Sequence, residues 1–177
     1  MQSAQENAVM PYFSAAHAIR CAFSSPVAHV GQTLEPRVGV MRTTSGSTSL
    51  ERIAQDGMAL SILRKALPEF HFSILGCKNT DYLDSPGIYA LHCVSVALML
   101  RDNLRHIDRD FIRYFAVPRW IGGKARSGLI SEWATKSGTP ESTLSGWNGS
   151  CLKMLKEGEA SAQAMADTIL KETGLIL

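Results

Sequence analysis

Residues 129–147 read LISEWATKSGTPESTLSGW, and this stretch decides how the chain is understood. Two helical patterns flank a glycine. Ala134 is small, as a first helix must be where a second crosses it closely. Four positions on, Gly138 tolerates the left-handed backbone that a tight turn between helices requires. Thr139 offers a cap for the next helix and Pro140 suits its first helical position. Leu144 and Trp147 are then spaced to pack back on Ile130 and Trp133. The outward face carries Glu141, Ser142, Thr143, Ser145 and Asn148. These are the features of a helix-turn-helix whose second helix enters the major groove of DNA. On that reading Ser142, Thr143, Ser145 and Asn148 contact base edges, while Trp133, Ala134, Gly138, Leu144 and Trp147 hold the motif together. Two departures stand out. The turn has Thr139 where Val or Leu is usual, and Gly146 replaces the Arg or Lys that often precedes the aromatic residue. The same pattern also fits a plain helical hairpin on the surface of a bundle.

Charge outside the motif adds a second signal. Residues 1–100 carry seven basic and seven acidic side chains, and residues 127–177 carry four and six. Between them stand Arg101, Arg105, Arg109, Arg113, Arg119, Lys124 and Arg126 against Asp102, Asp108 and Asp110. Arginines spaced by four share a face if their helix is continuous. Arg105, Arg109, Arg113, Arg119, Lys124, Arg126 and the later Lys136 are therefore candidate phosphate contacts, which position a protein on DNA without reading sequence. A solvated face with local aspartate partners is the alternative.

The rest of the 177 residues reads as helices. Phe13, Ala16, Ile19 and Phe23 have helical spacing, and Ser24-Ser25-Pro26 ends that segment. Val27 to Val40 reads as extended loop with room for one short strand, and Thr43 to Ser49 as a linker. Thr48 and Glu51 form a capping box before a helix to Leu67, with Ile53, Met58, Ile62 and Leu63 on its core face. Pro68 to Asp84 reads as irregular. Ser85-Pro86 launches a helix to Leu104, apolar nearly all round from Ile88 to Leu100, as the central helix of a bundle would be. His106 to Phe115 is a further helix, broken by Pro118, and Gly122-Gly123 is a turn. Helices over Ala125–Ser137, from Pro140 to Gly146 or beyond, and over Leu152–Thr173 complete the chain. The expected fold is mainly α, a helical bundle containing a helix-turn-helix with a long C-terminal helix. Residues 1–106 form an N-terminal helical core with irregular loops, and residues 107–177 carry the motif and the last helix, together as one compact unit.

Hydrophobic residues make up 45% and charged residues 19%, a globular rather than a disordered composition. The net charge of +2 excludes a polybasic, histone-like binder. No apolar run reaches the length of a membrane span, and the N-terminus lacks the pattern of a secretory signal, so a cytoplasmic protein is expected. Cys21, Cys77, Cys93 and Cys151 lack zinc-knuckle or redox spacing. Cys93 reads as a small core residue. His71 with Cys77, or His92 with Cys93, are the nearest approach to a metal pair, and neither has clear partners, so no metal or cofactor is expected. His17 and His92 read as partly buried helix residues. No nucleophile elbow, phosphate-binding glycine loop or metalloprotease helix is present, so the chain does not read as an enzyme.

Three segments also carry a resemblance: ERIAQDGMALSIL (51–63), HIDRDFIRYFA (106–116), and the motif followed by a long helix ending in GLIL. Together they resemble late-gene antitermination proteins of phages and prophages and similar helix-turn-helix regulators. The resemblance implies binding to double-stranded DNA beside a late promoter, then loading onto bacterial RNA polymerase paused nearby, in the cytoplasm of the host cell. Some members of that group carry a zinc finger, so this chain would belong with the zinc-free type. With no cation on the proposed reading helix, affinity would need a second contact, from a homodimer partner or from RNA polymerase. A helical adaptor without DNA binding is the competing expectation.

Overall fold

A single helix of 32 residues, Glu141–Glu172, runs where the sequence suggests two. The computed structural model describes residues 12–25, 49–80, 85–123 and 127–176, and among these most are helical and none forms a strand. The fold is a mainly α helical bundle. The elements are α1 (Ala15–Ser24), α2 (Ser49–Ala66), α3 (Glu69–Asn79) and α4 (Ser85–Met99), then a 3-10 turn (Asp102–Leu104). After it come α5 (Arg109–Phe111), a π turn (Ile112–Ala116), α6 (Val117–Gly122), α7 (Ile130–Ser137) and α8 (Glu141–Glu172). The 27–48 segment, the Thr48 cap, Lys124 and Arg126 lie outside the described residues.

The chain forms two compact units. One joins the residues up to Ala66 with those from Met165 onward, and the other spans Leu67–Ala164. In the first, Ser14 caps α1 by accepting the His17 N–H at 3.2 Å. The buried face of α1 is Ala18, Ile19, Ala22 and Phe23, whereas Ala16 is exposed and Phe13 is 82% exposed. The apolar stripe is thus rotated from the expected one, and Phe13 stacks on His17 at 5.5 Å instead. On α2 the buried residues include Ala59 and Leu63, while Met58 is half exposed. Asp56 is also buried there, and Tyr12 donates its hydroxyl to it at 2.8 Å. A buried carboxylate needs such a donor, because desolvation without a partner costs several kcal/mol, about 2–7 for a neutral polar group and more for a charge.

The second unit departs from expectation in three places. Within the stretch expected to be irregular, α3 occupies Glu69–Asn79 behind Pro68, burying Ile74, Leu75 and Cys77, and residues 81–84 lie outside the described ones. Pro68 cannot sit inside a helix, but it is well placed just before one. The α4 helix is not central. It buries Ala90, Val94, Ser95 and Leu98, yet leaves Ile88, Tyr89 and Val96 exposed, as is Leu100 just past its end. His92 is exposed and Cys93 only half-buried. Pro118 does not break its helix. The Val117 N–H reaches back to Ile112 C=O, a π-type bond, and the backbone continues to Gly122. Proline lacks an N–H and crowds the preceding turn, and a locally widened turn accommodates both defects.

Along α8 the buried residues Cys151, Leu155, Gly158, Ala162, Ala166 and Leu170 recur every three or four positions. This stripe outweighs Gly146 and Gly149, where a Cβ would meet nothing within 4 Å. Gly158 is different. A Cβ there would lie 2.6 Å from Ile74 Cδ1 and 3.0 Å from Phe70 Cε1, so glycine is what lets α8 approach α3.

Candidate nucleic-acid interface

The motif lies within the second unit. Leu129 precedes α7, and its N–H is accepted by the Glu132 carboxylate at 3.2 Å, which satisfies one of the free amides at the helix start. Gly138 ends α7 with φ 69° and ψ 10°, and its N–H returns to Ala134 C=O at 2.9 Å. The left-handed turn thus falls on the glycine that the sequence singles out for it. The next cap sits one residue later than expected. Leu144 N–H bonds Pro140 C=O at 3.1 Å, so Pro140 rather than Thr139 flanks α8. Thr139 instead donates its N–H to Ser137 Oγ at 3.3 Å.

Aromatic rings fix the two helices on the stretch before them. Phe111 stacks on Phe115 at 4.9 Å and receives Trp133 and Trp147 edge-on at 5.8 and 5.6 Å. Such pairs add about 0.5–1.5 kcal/mol each beyond the area they bury. Leu144 is fully buried, and Ala134 is half-buried. Of the residues expected to build the motif, Trp133 and Trp147 share this aromatic junction and Gly138 forms the turn.

The candidate base-reading residues divide. Ser142, Thr143 and Ser145 are exposed at the start of α8. Asn148 is half-buried, and its Oδ1 is shut off from solvent without a hydrogen-bond partner. It does not share the outward face of the other three. The expected arginine stripe is interrupted, because α5 begins only at Arg109, capped by Asp108, whose Oδ1 accepts the Phe111 N–H at 2.8 Å. Arg105 stands before that cap and pairs with Asp102 at 2.9 Å. Arg119 is held internally, donating to Ser127 Oγ at 3.2 Å and Gly128 C=O at 3.1 Å with its guanidinium over Phe115. Arg109 and Arg113 are exposed, the latter beside the Tyr114 ring. Lys136 is exposed, with Nζ 5.8 Å from the centre of Trp133.

A cleft of about 610 Å³ opens beside the turn, lined by Asp108, Asp110, Tyr114, Trp133, Lys136, Ser137, Thr139 and Trp147. Tyr114 and the two aspartates do not figure in the sequence motif. The only signal in the sequence is a tyrosine shortly after Asp108 and Asp110 and ahead of the tryptophans. Elsewhere in this unit, burial pushes the thiols of Cys77 and Cys151 up to about 12 and about 11, which marks them as inert packing groups. Among the described residues no three His, Cys, Asp or Glu side chains are grouped to hold a metal, and no helix is long and apolar enough to cross a membrane.

No protein-family model, no curated protein and no solved structure matches this chain.

Proposed function

We propose that this chain is a non-catalytic, DNA-binding transcription regulator of phage type, most specifically a late-gene antitermination factor that acts on RNA polymerase in the bacterial cytoplasm. The observation that carries the DNA-binding part is the turn. Gly138 takes the left-handed conformation between α7 and α8, and Ser142, Thr143 and Ser145 are left exposed on the first turns of α8. Arg109, Arg113 and Lys136 are the exposed cations available for phosphate contacts near it. The antitermination part rests on the resemblance of the three segments quoted above. A mobility-shift titration with genomic fragments over a range of salt concentrations tests the reading. Binding whose affinity falls steeply with salt is expected, since each phosphate contact releases counterions. Absence of any retarded complex at low salt would remove the proposal.

A helical adaptor without DNA binding is the second reading. It is favoured by the exposed apolar residues Ile88, Tyr89 and Val96 of α4 and Leu100 just after it, and by the engagement of Arg105 and Arg119 within the chain.

A further inference from the structure

The cleft beside the turn has a chemistry that DNA binding does not use. Its walls present two indoles, a phenol and two carboxylates, with Lys136 as the one cation among its lining residues. Trp133 and Trp147 are both packed at a steep angle against the fully buried Phe111, so the rings are held in place before any ligand arrives. Asp110 is exposed and has no ion pair or hydrogen bond among the described residues. Neither indole N–H of the cleft has an acceptor among the described residues either. We infer that this cleft binds an arginine-bearing segment of a partner polypeptide, with the guanidinium against an indole of the lining and paired with the Asp110 carboxylate.

Each component of that ligand answers a group in the cleft. A guanidinium is planar and weakly hydrated, stacks on aromatic faces and pairs with carboxylates. Phosphate is repelled by the same two aspartates, which disfavours a nucleic-acid strand as occupant. The volume of about 610 Å³ exceeds one guanidinium and suits a few residues of peptide. Backbone carbonyls of such a peptide supply acceptors for the indole N–H groups. Lys136 already lies 5.8 Å from the centre of Trp133, so it occupies the position an incoming arginine would take. It is an internal competitor, and its removal opens the site. Lys136 is the one group shared with the DNA-binding proposal, while the indoles and Asp110 need no DNA to act.

The test follows the indole N–H signals of the full-length protein by NMR while a capped peptide Ala-Arg-Ala is added. The Gln-substituted peptide and a DNA duplex serve as parallel probes. Trp133 and Trp147 signals are expected to move with the arginine peptide and not with the glutamine peptide. The Trp120 signal stays, because its N–H is held by Glu159 at 3.0 Å, and it reports that each variant keeps its fold. Asp110→Asn, which leaves the Asp108 cap intact, weakens binding about tenfold, and Lys136→Ala strengthens it about threefold. Unmoved indoles, equal binding of the two peptides, or weaker binding by Lys136→Ala would overturn the inference. So would a duplex that moves the same two indoles where the arginine peptide does not.

Discussion

The indole of Trp120 donates to Oε2 of Glu159 at 3.0 Å, across 39 positions of sequence. Lys78 approaches the same oxygen at 3.5 Å, donates to Trp120 C=O at 3.2 Å and lies 4.5 Å from the centre of its ring. Three helices, α3, α6 and α8, are thereby tied at one partly buried point.

Glu159→Ala removes the acceptor from a largely buried indole N–H and the counter-charge from Lys78. A loss of about 1–3 kcal/mol in urea unfolding is expected. Glu159→Gln retains an acceptor for the indole and loses only the ion pair, so its loss is smaller. The reverse order of the two variants would contradict this account.

Glycines of α8 should respond to alanine in opposite directions. Gly158→Ala forces the fully buried Ile74 and the Phe70 ring to move, at a net cost of about 1 kcal/mol after the gain in helix propensity. Gly146→Ala and Gly149→Ala meet open space and should each stabilise by up to about 1 kcal/mol. Thermal melts of the three variants decide it, and a stabilised Gly158→Ala would mean that α3 and α8 are not in close contact.

Gly138→Val places a β-branched residue in a left-handed conformation, at a cost of about 1–2 kcal/mol. Space is not the obstacle, since a Cβ there meets nothing within 4 Å. The penalty is purely backbone, and Gly138→Asn should recover part of it. If the proposed function holds, the valine variant loses DNA affinity while circular dichroism stays helical. Unchanged affinity would detach the turn from DNA binding.

The Tyr12–Asp56 pair makes the stability of the first unit depend on pH. Burial holds the Asp56 carboxyl above its ordinary range, against the lowering effects of the Tyr12 hydrogen bond and of Arg52 and His17. Burial, then the hydrogen bond and charge of Asp56, push the Tyr12 phenol upward as well. A group raised on folding stabilises fully below its unfolded value, about 3.9 for Asp and about 10 for Tyr, and that stability is lost as pH rises through the folded value. Stability should therefore decline from the ordinary aspartate range upward, and again in the alkaline range. Asp56→Asn should abolish the first decline. Tyr12→Phe should abolish the second and deepen the first, because it removes a bond that favours the ionised carboxylate. Urea midpoints measured across pH check both, and an acid-range slope unchanged by Asp56→Asn would rule the pair out as its source.

The helical class, the position of α1 and the turn at Gly138 were legible because each rests on local pattern. What local pattern missed was decided by contacts between distant segments. Pro68 and the short, aromatic α3 look irregular until Ile74 and Leu75 are seen to be buried. Gly146 suggested a helix end, but the buried row from Cys151 to Leu170 carries the helix through it. The buried faces of α1 and α2 differ from the apolar spacing for the same reason, since Phe13 and Met58 are apolar yet lie outward. Of the site, the outward placement of Ser142, Thr143 and Ser145 could be read from spacing. The half-buried Asn148, the internal ties of Arg119 and the acidic cleft could not, because each depends on neighbours brought in by the fold.

The π turn at Ile112–Ala116 behaves as a one-residue insertion written into a helix. Each residue added to a helix rotates everything after it by about 100°. Deleting one residue here would leave a more regular backbone, yet Arg119 would swing away from Ser127 and Trp120 away from Glu159. A shortened chain would thus gain local regularity and lose the aim of α6, so this short segment cannot change length by one residue without uncoupling the side chains it directs.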